Sequence, residues 1–524
     1  MILHRGLSIQ QFQIPRYHGH HLPRLQQMEF AQDSLNNRSV YEFLQKNRRT
    51  LFSDDKFVHL YPSKVGRPSI PPSRIASIMV LQTLEGLSDR EALEQVRLNL
   101  AWKTALGLSL DDEGFSPNVL TYWRNKIAAS ETPHLIFDLA KEVISNTGIL
   151  RNKNKRVLDS TVLSDAVLTQ DTFSQIVSQI KRVRRMIPQL GQVPLSQVVD
   201  YSSSERKPQI DYRDQKEKQE AISLLVTDAL SLISAAEEYD LTSEQADALG
   251  LLGLVAAQDV EIVDEKEGRF RLAKKVAKDR VVSTVDPDAR HVHKSRKASI
   301  DGYRGHIAID PETEIITQSA LRKGNVSDAQ MGEELLLEEQ EPLRIYGDSG
   351  YSAGEFSRHL DEKGHSSVIK PRPLPMAVEN GFSIDDFVID ETSDSVSCPA
   401  GHVVAISKKR RASFAKFCGS CPLRDRCTRS KRGRVITFGS NHRYNQQARR
   451  NWEDSFIKDD YNANRPSVER VHAQMKRKMS SSKLRYRGIL KNDVYYSLVA
   501  AVWNLKVLIR NNLTYKYKGW QVAT

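Results

Sequence analysis

Cysteine is scarce: the 524 residues hold four, all between Cys398 and Cys427. That is too few for the disulfide framework of a secreted scaffold, and the clustering points to metal instead. Long apolar runs are missing as well. No stretch reaches the roughly 18 to 20 uninterrupted apolar residues of a membrane span, and the N-terminus lacks the apolar core of a signal peptide. A cytoplasmic location with no membrane partner is the resulting expectation. No repeat of roughly 20 to 50 residues and no low-complexity tract is evident. Acidic residues are in deficit: 65 Asp and Glu against 77 Lys and Arg leave a formal charge of +12, so a polyanion is the first partner to consider. What is present, 39% hydrophobic residues over this length, suffices for roughly two to four domains with ordinary cores.

Residues 1–40, with His18, His20 and His21, show neither helical nor strand period and read as a flexible arm. Residues 41–150 read as helical. After GRPSIPPS (Gly66 to Ser73), with Ser73 as an N-cap, Ile75, Ile78, Met79, Leu81 and Leu84 follow a helical period. Gly86 suits that helix's end, and Ser88 with Glu91 forms a capping box opening the next. Pro117 sits at a favoured first position ahead of NVLTYWRNKI. Short helices ending in one that bears Tyr122, Trp123, Arg124, Asn125 and Lys126 have the form of a helix-turn-helix DNA reader, or of a plain helical packing unit. A helical insertion is expected over about 165–300, with KEKQEAISLLVTDALSLISAAEE amphipathic. Strand patterns occupy Arg156 to Leu163, YRGHIAID and EIITQSAL across a Pro-Glu-Thr turn, and LRIYGDSGY. Strands spread among helices imply an interrupted α/β core.

Three acids stand out by position. Asp159 lies within the strand VLDSTVL, where an unpaired charge is costly. Asp348 follows LRIYG at a strand's C-terminal end, where α/β sheets place ligands. Glu469 lies in RPSVERVHAQMKRKM, a helix opened by Pro466, and shares a face with His472 and Lys476. Taken alone, His472 reads as a surface histidine; Asp165 and His306 lie near the motifs without a role.

These positions resemble the DDE transposases of bacterial insertion sequences, closest to the group numbered eleven-eighty-two, over about Tyr41 to Arg510. Asp159 in LDSTVL matches the first acid, Asp348 in YGDSGY the second and Glu469 the third. Arg465, Glu469 and Lys476 keep the three- and six-residue gaps of the Tyr-Arg-Glu-Lys signature, while Tyr461 stands one residue further from the arginine than usual. The resemblance implies an RNase H-like catalytic core, in two parts over 151–370 and 446–524, carrying a helical insertion and a small zinc-binding insertion over 371–445, preceded by an all-helical DNA-binding domain. It further implies metal-dependent cleavage and strand transfer at the ends of the element, on duplex DNA and target DNA, by a homodimer or higher assembly, nucleoid-associated when bound. Two Mg²⁺, or Mn²⁺ in their place, would sit on Asp159, Asp348 and Glu469, because hard cations want oxygen ligands. Arg465 and Lys476 would hold phosphate oxygens.

Cys398, Cys418, Cys421 and Cys427, with 19, 2 and 5 residues between them, suit a tetrahedral structural Zn²⁺. Four reduced thiols are the alternative, and His402 is a substitute ligand. From Cys398 to Arg434 there are eleven Lys or Arg and one acid, Asp425, and a second basic run follows Glu469, so DNA contact is expected at both. Val494, Leu498, Ala501, Val502, Leu505 and Ile509 form a stripe for core packing. The rival readings are a metal-dependent nuclease without joining activity and an inactive zinc-containing DNA-binding protein.

Overall fold

Local capping chemistry sets the N-terminal helices of the computed structural model, which describes residues 39–60, 70–264, 268–293, 299–479 and 483–523. The expected arm up to residue 38, with its histidines, lies outside the described residues. Ser39 caps α1 (Val40–Leu51). Helix α2 (Pro72–Glu85) opens on Pro72, not after Ser73: proline needs no amide partner in a first turn, and Ser73 N–H instead donates to Asp54 Oδ1 at 2.9 Å. Gly86, at φ +73°, ends it, and the Ser88–Glu91 capping box opens α3 (Asp89–Leu98). Then come α4 (Leu100–Leu106), α5 (Asn118–Ala128), starting one residue after Pro117, and α6 (Leu135–Thr147).

The central sheet begins with β1 (Lys155–Ser164), in which Val157 and Leu163 face one layer and Leu158 the other. An insertion follows: α7 (Thr172–Met186), α8 (Gln215–Ala236), α9 (Ser243–Ala257) and the hairpin of β2 (Val260–Asp264) and β3 (Arg269–Leu272), around a core including Ile176, Ile180, Leu225 and Leu252. By length and composition alone α8 could cross a membrane, but Ile222, Leu225, Ala229 and Leu232 are buried in this core. The neck of the insertion is polar. Thr284 N–H donates to Gln170 Oε1 at 2.7 Å. Asp165 abuts Asp286, and burial together with that neighbouring charge pushes its carboxyl up to about 7. Asp286 also accepts from Tyr303 Oη and Gly488 N–H, so Asp165, which the sequence left without a role, seats the insertion on the core.

The chain returns through β4 (Arg290–His293), β5 (Ser299–Ile309) and β6 (Ile316–Lys323), then α10 (Asp328–Leu335), β7 (Arg344–Gly347), α11 (Gly354–Glu362) and β8 (Ser366–Ile369). The strand order is β6-β5-β1-β7-β8, with β4 also on β5. Strands β5 and β6 are antiparallel to their neighbours, whereas β7 runs parallel to β1 and to β8. Leu335, Phe356 and Leu360 of α10 and α11 cover one sheet face.

Between the last core strand and the closing helices lies the cysteine module, built from β9 (Val388–Asp390), β10 (Ser395–Ser397), β11 (Val403–Ala405), β12 (Arg411–Ser413), α12 (Arg424–Cys427) and β13 (Val435–Thr437) around Phe387, Val396, Phe414 and Ile436. Then follow α13 (His442–Glu453), α14 (Ser455–Asn464), α15 (Pro466–Lys478) and α16 (Ile489–Arg510). The sequence suggests a single apolar stripe on α16, yet sixteen of its 22 residues are buried, because it lies between the sheet and the N-terminal helices in one shared core. Asn504 fixes it there, accepting from Ile316 N–H and donating to Ile316 C=O, both at 2.8 Å. Replacing Asn504 by Leu strands both buried backbone groups. We expect a loss of about 2–4 kcal/mol, read from the urea unfolding midpoint.

Candidate catalytic site

Strand register brings the first two acids together. Val157 of β1 is paired in parallel with Tyr346 of β7, and Asp159 and Asp348 each follow two residues later, on adjacent strands roughly 4.8 Å apart. Asp159 is mostly buried. Burial pushes its carboxyl up to about 6; the Arg465 guanidinium opposes the rise and the charge of Asp348 adds to it. Asp348 Oδ1 accepts from Gly350 N–H at 2.8 Å, and Arg372 Nε holds Ser349 C=O at 2.9 Å.

Helix α15 supplies the other side. Arg465, at the junction of α14 and α15, turns inward to donate from Nη2 to Asp159 Oδ1 at 2.8 Å; its Nε and Nη1 make no hydrogen bond. Tyr461, one helical turn earlier, stands close enough to Arg465, Asp348 and Asp159 for their charges to act on its phenol, which burial raises. Glu469 stays outside this cluster: its side chain is 68% exposed, and its nearest cation is Arg465 at 3.6 Å. Lys476 is half-buried, and its charge bears on His472.

His472 is not a surface residue. It is 5% exposed, with Nε2 3.5 Å from Asp159 Oδ2, and burial lowers it to about 3, so the imidazole is neutral. The helical spacing that groups it with Glu469 leaves it about 60° away around the axis, which is enough to point it at β1. His306, also buried, is lowered to about 3 by desolvation.

Sequence reasoning missed Arg304 and Asp328. Arg304 Nη1 donates to both oxygens of Asp328 at 2.9 Å. The usable signal was Ser327 three residues before Gln330, a helix start that places Asp328 in the first turn of α10.

The N-terminal helices offer less to DNA than their sequence suggests. Trp123 and Arg124 point inward, Arg124 pairing with Asp89 and lying over the Tyr486 ring; Tyr122 and Asn125 remain exposed on that helix. In the cysteine module Arg410, Arg426 and Arg434 lie over Phe438, Phe382 and Phe387, while Lys408, Lys409, Arg411, Lys416, Arg429, Lys431 and Arg432 are exposed.

All four cysteines and His402 line one cavity of that module. Burial raises the Cys427 thiol, and the other three sulfurs are near enough to add to the rise. His402 stacks on Phe417, with ring centroids 4.6 Å apart. Among the described residues, no group of three or more His, Cys, Asp or Glu side chains is gathered tightly enough to hold a metal ion as it stands.

A family model described as Transposase DDE domain matches residues 397–509, and one described as Transposase domain (DUF772) matches residues 32–126. The first spans the cysteines, Arg465, Glu469 and Lys476, and the second spans the N-terminal helices up to α5. Asp159 and Asp348 lie outside both matches. No curated protein and no solved structure matches the chain.

Proposed function

We propose that this chain, matched by transposase family models over residues 397–509 and 32–126, is an insertion-sequence DDE transposase whose catalytic carboxylates are Asp159, Asp348 and Glu469, cutting DNA at the ends of its element and joining those ends to a target. The observation that carries the assignment is the parallel register that sets Asp159 beside Asp348, facing the helix that bears Arg465 and Glu469. The strand order β6-β5-β1-β7-β8, antiparallel on one side of β1 and parallel on the other, supports an RNase H-like core.

The donor set fits hard divalent ions. The charge of Asp348 raises the proton affinity of Asp159, a repulsion that a bound cation would relieve. Two Mg²⁺, or Mn²⁺, held by the three acids would activate the attacking oxygen and neutralise the leaving one. Arg465 holds the Asp159 carboxylate in place through Nη2, and on this reading its guanidinium charge also draws the phosphate at the cleaved end toward the acids. Lys476 adds positive charge one face along the same helix. Neutral His472 closes the inner side of Asp159 against water. The attacking groups are water in cleavage and the freed 3′-hydroxyl in joining.

The cysteine module is read as a structural Zn²⁺ unit whose exposed lysines and arginines, with the N-terminal helices, bind duplex DNA in the cytoplasm. Its thiols suit zinc and not magnesium. Each phosphate contact contributes a salt slope of roughly −0.9. Joining two ends implies a dimer or higher assembly on DNA.

The test is cleavage of a labelled duplex carrying the element's ends, in Mg²⁺ or Mn²⁺, by wild type and by Asp348→Ala. Expected is metal-dependent nicking at the boundary, then joining to a second duplex, both lost in the variant while end binding persists. Nicking without joining would favour a nuclease. Binding without cutting in either metal, equal in both proteins, would favour a DNA-binding protein.

A further inference from the structure

A third buried-side carboxylate, Asp328, stands against the turn that carries Asp348. Its side chain is 11% exposed, both its oxygens are engaged by Arg304 Nη1 at 2.9 Å, and His306 Nδ1 lies 3.8 Å from Oδ1. Opposite is Gly350. A Cβ on that glycine would collide with the Asp328 carboxylate and stand 2.9 Å from Asp348 Oδ1, so the two acids meet the same glycine. The turn itself is tied down by the Gly350 N–H to Asp348 Oδ1 bond and by Arg372 on the Ser349 carbonyl. These bonds fix its internal shape, but of these contacts only Asp328 limits how far it can move toward α10. The charge of Asp328 reaches Asp159 as well, so without a counter-charge it would repel the site it borders; Arg304 supplies that counter-charge. Arg304 Nη1 takes one acceptor site on each Asp328 oxygen and so holds the carboxylate in place.

Resting on the assignment of Asp159 and Asp348 as catalytic, we propose that Asp328, clamped by Arg304, is a positioning residue. It is the stop against which the Asp348 turn seats, and it sets the separation at which Asp348 and Asp159 share a divalent cation. Supporting groups of this kind orient ligands without touching the metal.

The experiment measures Mn²⁺ binding to the full-length protein by electron paramagnetic resonance of the free ion, alongside the thermal unfolding midpoint and end cleavage. Asp328→Asn keeps the size and loses the charge pair; Gly350→Ala pushes the same contact from the other side. Both are expected to weaken Mn²⁺ affinity by about tenfold, with cleavage largely restored at saturating Mn²⁺, and with a metal-free midpoint lowered by the strained contact or the unpaired Arg304. A lowered midpoint with unaltered Mn²⁺ affinity in both variants would make the contact merely structural and overturn the proposal. Loss of Mn²⁺ binding as complete as in Asp348→Ala, with no recovery at high metal, would make Asp328 a ligand and overturn it too. If Asp348→Ala itself binds Mn²⁺ and cuts like wild type, the catalytic assignment fails, a result distinct from either.

Discussion

Asp159→Asn is expected to abolish end cleavage and, in metal-free buffer at neutral pH, to make the protein more stable. The carboxyl of Asp159 is pushed up to about 6 mainly because β1 and α15 take it out of water, and Arg465 only partly offsets that cost. A raised carboxyl means the folded chain holds its proton more tightly than the unfolded chain does. The ionised form is therefore penalised above pH 6, by on the order of 2–3 kcal/mol, and the penalty fades as pH falls from about 6 toward 4. Asparagine mimics the protonated form at every pH. The variant should melt higher than wild type at pH 7.5 in EDTA, and the difference should shrink toward pH 4.5. Comparing the two proteins across that range cancels Asp165, which titrates near 7 in both. Adding Mg²⁺ or Mn²⁺ should raise the wild-type midpoint and leave the variant's where it was, because the penalised charge is the one that binds the cation. A variant less stable than wild type at pH 7.5 would mean that the pairing with Arg465 outweighs desolvation. Cleavage by the variant would remove Asp159 from the reaction.

The site was legible where chemistry follows the strand pattern, and obscure where it depends on which elements pack together. Asp159 inside a β-branched run and Asp348 at the end of another could be picked out singly. That they are neighbours follows from a parallel register, Val157 with Tyr346, spanning nearly two hundred residues of intervening chain, and periodicity does not encode that pairing. Arg304 and Asp328 escaped notice for the same reason: the arginine is a lone cation on its strand, and its partner opens a helix beyond the next strand. His472 was misread because the side of α15 that meets β1 lies only one step around the helix from Glu469. Trp123 and Arg124 belong to the same class of error. An aromatic and basic helix has the composition of a DNA reader, but α5 spends those two side chains on Asp89, Tyr486 and the core beneath α16. Capping was the reverse case: Ser88 with Glu91 and Gly86 act within a few residues, and they appear as read.

On the proposed zinc assignment, removing the metal from the cysteine module should unfold that module and little else. Its own apolar core is small, chiefly Phe387, Val396, Ala412, Phe414, Ile436 and Phe438 with Cys418 and Cys427 among them, while its strands are three residues each. Such a unit buries too little to hold itself, whereas binding of zinc to four thiolates contributes roughly 10–16 kcal/mol of apparent folding free energy. The four sulfurs line one cavity together with His402, which stacks on Phe417, and the proposed ligand set is Cys398, Cys418, Cys421 and Cys427. Elemental analysis of the purified full chain should give about one zinc per chain. Stripping it with phenanthroline, or substituting Cys418→Ser, should open residues 380–440 to trypsin at their exposed lysines and arginines while the sheet and α16 stay resistant. His402→Ala should keep the metal, and so should Asp159→Asn, which separates this site from the catalytic one. A purified protein without zinc, with four thiols that react freely with a thiol reagent and a trypsin pattern unaltered by the chelator, would return the cysteines to four reduced side chains and leave the module's fold to its aromatic core.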